Sequence, residues 1–258
     1  SVSGLPEHAA DCRRAAEWLV DELCRIGLSS ASLAETGGHP IVHAEWLGAP
    51  GAPTVLLYCH YDVQPVDPLD EWTSTPFEPI RVGDRILGRG AADDKGNIAA
   101  ALGAIEALLA VRGGLPVNLK LVFEGEEESS SPFLDPWLEA NRERLGADVA
   151  LVADSGFFEG NLPAITTGLR GLCAAEIHVS GPFQDLHSGM YGGAVANPVN
   201  ALAAIVAALK GPDGRIAIPG FYDDVRPLEG TERAALAAIP FDEEAFRAGL
   251  GVPALAGE

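Results

Sequence analysis

A chain of 258 residues with 47% hydrophobic side chains is long enough to bury one large core or two smaller ones. Its 37 acidic against 17 basic side chains give a formal net charge of −20, which repels phosphate backbones and anionic lipid headgroups and so excludes nucleic acid and membrane surfaces as partners. There is no apolar run of the ~20 residues that cross a bilayer, no leader-like start, and no Cys-x-x-Cys among Cys12, Cys24, Cys59 and Cys173, so a cytoplasmic protein without a disulfide framework is expected.

In chain order, Ala15, Leu19, Leu23 and Ile26 recur at helical spacing between His8 and Ile26, and Gly27 is a natural stop. Short β-rich runs follow at Ile41–Leu47, Thr54–Cys59, Val117–Phe123 and Val149–Ala153, with a helix predicted over Asn97–Val111. Strand and helix alternate, which favours a mixed or parallel sheet flanked by helices. Past Gly168 the texture changes. Leu172–Val179 alternates like a half-buried strand, Asn197-Pro198 opens a helix running to about Lys210, and Gly211–Gly220 is a turn. A domain boundary is placed after residue 168, giving units 1–168 and 169–258.

Four positions able to do chemistry each follow a predicted strand. His60 and Asp62, two apart on an extended chain, point to one side, and a carboxylate beside an imidazole can fix its tautomer for metal binding. Read alone, the pair is a weak signal, more often a satisfied histidine at a strand end. The loop Gly88–Gly96 delivers Asp93 and Asp94 just before a helix, where either could be a simple N-cap; it lacks the order of a phosphate-binding loop. The run Glu124–Ser131 packs like charges tightly enough to call for a cation, a shared proton or open water. Asp154 stands at the end of the next strand. Gathered on one sheet edge, His60, Asp93, Glu127, Glu128 and Asp154 suit Zn²⁺, with Mn²⁺ or Co²⁺ as substitutes, and the acidic excess suits two ions about 3.5–4 Å apart.

The runs His60-Tyr61-Asp62-Val63-Gln64-Pro65, Gly88-Arg89-Gly90-Ala91-Ala92-Asp93-Asp94-Lys95-Gly96 and Glu124-Gly125-Glu126-Glu127-Glu128-Ser129 resemble the motifs of a two-zinc metallopeptidase family. That family includes carnosine-type dipeptidases, acetylornithine deacetylase, succinyl-diaminopimelate desuccinylase, aminoacylase and glutamate carboxypeptidase. Trp72–Pro79 and Asp185–Gly193 resemble the dipeptidase branch in particular.

The resemblance implies an α/β fold: a three-layer zinc-exopeptidase-like catalytic domain with a central mixed sheet, then the start of a smaller α+β, ferredoxin-like lid and dimerisation domain. It also implies that His60 and Asp154 hold one zinc, Glu128 holds the other and Asp93 bridges both. Asp62 would orient His60, and Glu127 would be the general base. His187 would stabilise an oxyanion in the partner subunit of a homodimer, and the Asp93–Asp94 peptide would be cis. The implied activity is hydrolysis of dipeptides or short peptides with a free carboxylate. The alternatives are an N-acyl amino acid deacylase and an inert metal-binding or dimerising fragment. Two departures stand out. Ser130 occupies a position where many relatives have Gly, and the family's last histidine ligand and carboxylate-binding arginine find no match before Glu258.

Overall fold

The helical period of the first segment is realised as α1, Ala9–Arg25, which buries Cys12, Ala16, Leu19 and Leu23 along one face. Gly27, at φ 111°, ends it in a backbone conformation that side chains with a Cβ avoid, and Leu28 N–H closes the turn on Leu23 O at 2.9 Å. The computed structural model describes residues 1–158 and 162–255.

Among the described residues seven strands form: β1 Ser32–Ala34, β2 Ile41–Trp46, β3 Thr54–His60, β4 Ile80–Val82, β5 Arg85–Leu87, β6 Asn118–Glu124 and β7 Val149–Val152. Five make one sheet in the order β1-β2-β6-β3-β7, while β4 and β5 pair as a separate hairpin. The β1–β2 and β2–β6 pairings are antiparallel and the β6–β3 and β3–β7 pairings are parallel, so the sheet is mixed. Between β5 and β6 runs α2, Lys95–Arg112, and α3, Leu134–Ala140, lies between β6 and β7.

Alternation along the strands sorts side chains into two layers of packing. Val42, Ala44, Leu57, Cys59, Leu119, Leu121 and Phe123 pack with α1 and with Ile98, Leu102 and Ile105 of α2. The opposite face sends Ile41 and Val122 against Leu145, with Leu56, Tyr58, Leu134, Trp137 and Leu138 around them. Helices therefore cover both faces, which is why β6 is buried along nearly its whole length. Lys120, in the middle of β6, satisfies its ammonium on the carbonyls of Arg144 and Gly146 at 2.5 and 2.7 Å.

The chain divides into two compact units, Ser1–Gly156 and Phe157–Glu258, on the N-terminal side of the 168/169 boundary read from composition. In the second unit the helices are α4 Ser188–Tyr191, α5 Pro198–Ala208, α6 Gly230–Ala237 and α7 Glu243–Leu250. Asn197 caps α5 by accepting from Val199 N–H at 2.8 Å, and Asp242 caps α7 by accepting from Ala245 N–H at 2.9 Å. A bridge between Lys210 and Ile216 closes the turn that begins at Gly211. Leu172–Val179, expected as a strand, forms none. Among the described residues no strand pairs with it, and Leu172 is almost fully exposed.

Candidate metal centre

Parallel pairing of β6, β3 and β7 brings their carboxyl ends to one edge of the sheet, the usual place for a site in α/β proteins. His60 is in register with Glu124, and Tyr58 with Val152, so Asp154 continues β7 to the level of His60. Asp93 arrives from the loop before α2. The Asp93–Asp94 peptide is cis, as expected from the family motif.

Ligand atoms of His60, Asp93 and Asp154 lie within 4.8 Å of one another. His60 Nε2 is 2.8 Å from Asp93 Oδ1 and 3.8 Å from Asp154 Oδ1. Behind the ring, Nδ1 faces Asp62 Oδ1 at 3.3 Å. That pair is close enough for an ion pair but off the hydrogen-bonding line, so both buried atoms lack a hydrogen bond. Burial alone would lower the His60 pKa, but the carboxylates of Asp62, Asp94 and Asp154 outweigh it and hold the ring up at about 9. An imidazole nitrogen converging with two carboxylates, backed by a third, fits a divalent cation, which would take over the charge balance that a ring proton supplies otherwise.

Asp62, fully buried, also accepts from Glu128 N–H through Oδ2 at 3.0 Å. Glu127, Glu128 and Ser129 form a single 3-10 turn directly after β6. Gln64 Nε2 donates to Glu128 Oε2 at 3.0 Å and to its carbonyl at 2.8 Å, and Glu128 stands outside the three-residue ligand group. Burial pushes the Glu127 carboxyl pKa up. His60 pulls it down, while Asp154 and Glu128 push it up again.

Several residues to which the sequence assigned no part in the site support this edge. Asp94, fully buried, accepts the His60 backbone N–H at 3.0 Å and Asn97 Nδ2 at 2.7 Å, tying the end of β3 to the start of α2. Lys95 Nζ donates to the Tyr61 carbonyl at 2.6 Å. Glu124, 2% exposed, accepts from the Tyr58 hydroxyl and from Ser131 Oγ. Asp94 reads from the sequence as a possible helix cap; the supporting role of Glu124 could have been read from an acid immediately ending an apolar strand, where ionisation needs a partner.

Within the first unit His8, His39 and His43 stand outside the group of His60, Asp93 and Asp154, and each remaining histidine has a local partner. His8 contacts Asp11, His39 the Ser3 carbonyl, His43 Arg144 and His178 Glu176. His187, in the second unit, accepts Gly189 N–H on Nδ1 at 3.0 Å, which leaves the proton of the neutral ring on Nε2.

A mixed sheet that gathers an imidazole and carboxylates at the carboxyl ends of its parallel strands defines an α/β protein with a candidate metal site. The chain belongs to peptidase family M20/M25/M40, whose model matches residues 56–245. It is similar to the Cys-Gly metallodipeptidase dug1 of Schizosaccharomyces pombe, 36% identical over 249 residues that cover 92% of this chain and 52% of that protein. The human Beta-Ala-His dipeptidase is 34% identical over 260 residues, covering 96% and 51%. Among solved structures, the M20 family metallo-carboxypeptidase Sso-CP2 from Sulfolobus solfataricus superposes with a TM-score of 0.76 at 36% identity, covering 100% of this chain and 58% of that one. Human carnosine dipeptidase 1 gives 0.71 at 29%, covering 100% and 56%. The chain thus spans about half the length of the curated relatives it matches. Among the described residues, no helix is long and apolar enough to cross a membrane.

Proposed function

We propose that the protein hydrolyses the peptide bond of dipeptides or short peptides bearing a free carboxylate, using a pair of zinc ions and Glu127 as general base. The convergence of His60, Asp93 and Asp154 beside the Glu127–Ser129 turn carries this reading. Similarity to proteins named as Cys-Gly and Beta-Ala-His dipeptidases supports the substrate class.

When bound, divalent ions supply Lewis-acid polarisation of a carbonyl and acidify water. The chain's own residues do the rest. His60, Asp93 and Asp154 would hold one ion, with Asp93 also facing a second held by Glu128. Asp62 keeps the His60 ring turned so that Nε2 faces Asp93. Glu127 takes the proton of the attacking water and returns it to the departing amine, a task suited to a carboxyl pushed up by burial. His187 would donate from Nε2 to the developing oxyanion in the partner subunit of a homodimer. In this reading residues 1–168 belong to a catalytic domain and 169–258 to a lid, and the protein works in the cytoplasm.

The test is a metal titration of the intact protein followed by side-by-side assay of a dipeptide panel and an N-acetyl amino acid panel. Two tightly bound equivalents with dipeptide turnover is the expected result. Turnover of the N-acyl compounds alone would replace the peptidase reading with a deacylase. Weak binding without turnover of either panel would remove the enzyme reading altogether.

A further inference from the structure

The acidic turn after β6 is fastened at both ends. At one end Glu128 N–H sits on Asp62 Oδ2. At the other, the chain comes back through Ser130 and Ser131, both left-handed at φ 75° and 48°, and Ser131 Oγ donates to Glu124 Oε1 at 3.1 Å. The same oxygen accepts the hydroxyl of Tyr58 from the neighbouring strand β3. Within the loop, Ser129 N–H and Ser131 N–H both donate to the Glu126 carbonyl, at 3.0 and 2.8 Å, and Ser130 N–H donates to Glu127 O at 3.1 Å. A buried carboxylate is costly unless its partners repay the lost hydration. Glu124 lies outside the ligand group of His60, Asp93 and Asp154, so its burial is not explained by the metal.

We propose that Glu124 is a positioning residue: with Tyr58 and Ser131 it ties the sheet to the far end of the turn and so fixes where Glu127 and Glu128 are presented. The inference rests on the reading of Glu127 as general base. Proton transfer requires the base within hydrogen-bonding reach of the water, and misplacement by about 1 Å can cost on the order of 100-fold in rate. The tie needs an acceptor at Oε1, not a negative charge, because both of its partners are hydroxyl donors.

The test compares Glu124→Ala with Glu124→Gln in the intact protein by amide hydrogen exchange and by kinetics. In Glu124→Ala the amides of Ser129, Ser130 and Ser131 should exchange roughly 10-fold faster or more, with those of Leu119–Phe123 unchanged. The kcat should fall roughly 10- to 100-fold with KM within about twofold, and adding Glu124→Ala to Glu127→Gln should change the residual rate no further. Glu124→Gln, which keeps an acceptor oxygen, should restore kcat to within about threefold. Should Glu124→Ala fail to fold, Tyr58→Phe removes one donor alone and carries the same exchange and kcat readouts. Unchanged exchange in the turn, exchange rising across the whole sheet, or Glu124→Gln as damaged as Glu124→Ala would overturn the proposal. If the unaltered protein turns over no peptide, the reading of Glu127 fails separately, and the exchange data still decide whether Glu124 holds the turn.

Discussion

Asp62 and Glu128 are joined by a hydrogen bond from the Glu128 backbone N–H to Asp62 Oδ2 at 3.0 Å, while the other oxygen of Asp62 faces His60 Nδ1. One buried carboxylate thus faces the imidazole with one oxygen and anchors the acidic turn with the other. Asp62→Ala should lower zinc affinity about 10- to 100-fold, as loss of a carboxylate behind a histidine ligand commonly does. Isothermal titration with zinc checks this, and an affinity equal to that of the unaltered protein would show that Asp62 does not orient the ring.

Glu127→Gln should abolish turnover, by on the order of 100-fold or more, and leave metal content unchanged, because the amide keeps the shape of the side chain but cannot accept the proton. Elemental analysis alongside a dipeptide assay separates the outcomes. Loss of metal would instead exchange the roles assigned to Glu127 and Glu128.

His43 is fully buried and its Nδ1 accepts from Arg144 at 2.8 Å, so the ring is neutral. Burial, then the nearby Arg144 charge, hold its pKa down at about 4 against an ordinary 6.5. In the unfolded chain the ring takes up a proton that the folded state refuses, so this contribution is intact above about pH 6.5 and is lost as pH falls towards 4. Between pH 7 and pH 5 the loss should be about 2 kcal/mol. Urea unfolding across that range should show it in the unaltered protein, and the difference from His43→Gln should shrink by the same amount. A pH-independent difference would argue that His43 is not held neutral.

A Cβ placed on Gly125 would stand 2.3 Å from the Tyr61 ring, and that ring is buried with its hydroxyl bonded to the Pro40 carbonyl. The ring can move away only by giving up that hydrogen bond and its buried packing. Gly125→Ala should therefore cost about 1–3 kcal/mol, read as a lowered midpoint in thermal or denaturant unfolding.

Ser130 shows the opposite situation. Its φ of 75° lies in the left-handed region, which costs a residue bearing Cβ about 1–2 kcal/mol. Ser130→Gly removes that strain and loses part of the gain to the freer unfolded chain, so unfolding should become harder by up to about 1 kcal/mol. A fall in stability would mean that the serine side chain contributes more than the backbone strain it imposes.

Much of the site's frame was legible because it depends on order along the chain. Apolar runs ending in His60, Glu124 and Asp154 mark strands whose ends bear polar groups, and β3, β6 and β7 formed within one or two residues of the predicted spans. What escaped depends on pairing. β1, the β4–β5 hairpin and α3 are too short to show a period, and the two strands of that hairpin are stabilised by each other. The alternation of Leu172–Val179 failed for the converse reason, since a strand pattern needs a neighbour to bond with. The tie between Tyr58 and Ser131 through Glu124 spans more than seventy residues of sequence, and no local spacing announces it.

The residues that meet at the sheet edge come from four separate stretches of chain, around positions 60, 93, 127 and 154. They become neighbours only once β6, β3 and β7 have zipped into parallel register. An unzipped chain offers those donors scattered, each a poor match for an ion by itself. Under the proposed metal reading, loading with a divalent ion and cohesion of the parallel strands are two sides of one equilibrium: tighter loading would resist unravelling, and anything that frays this edge would let the ion go.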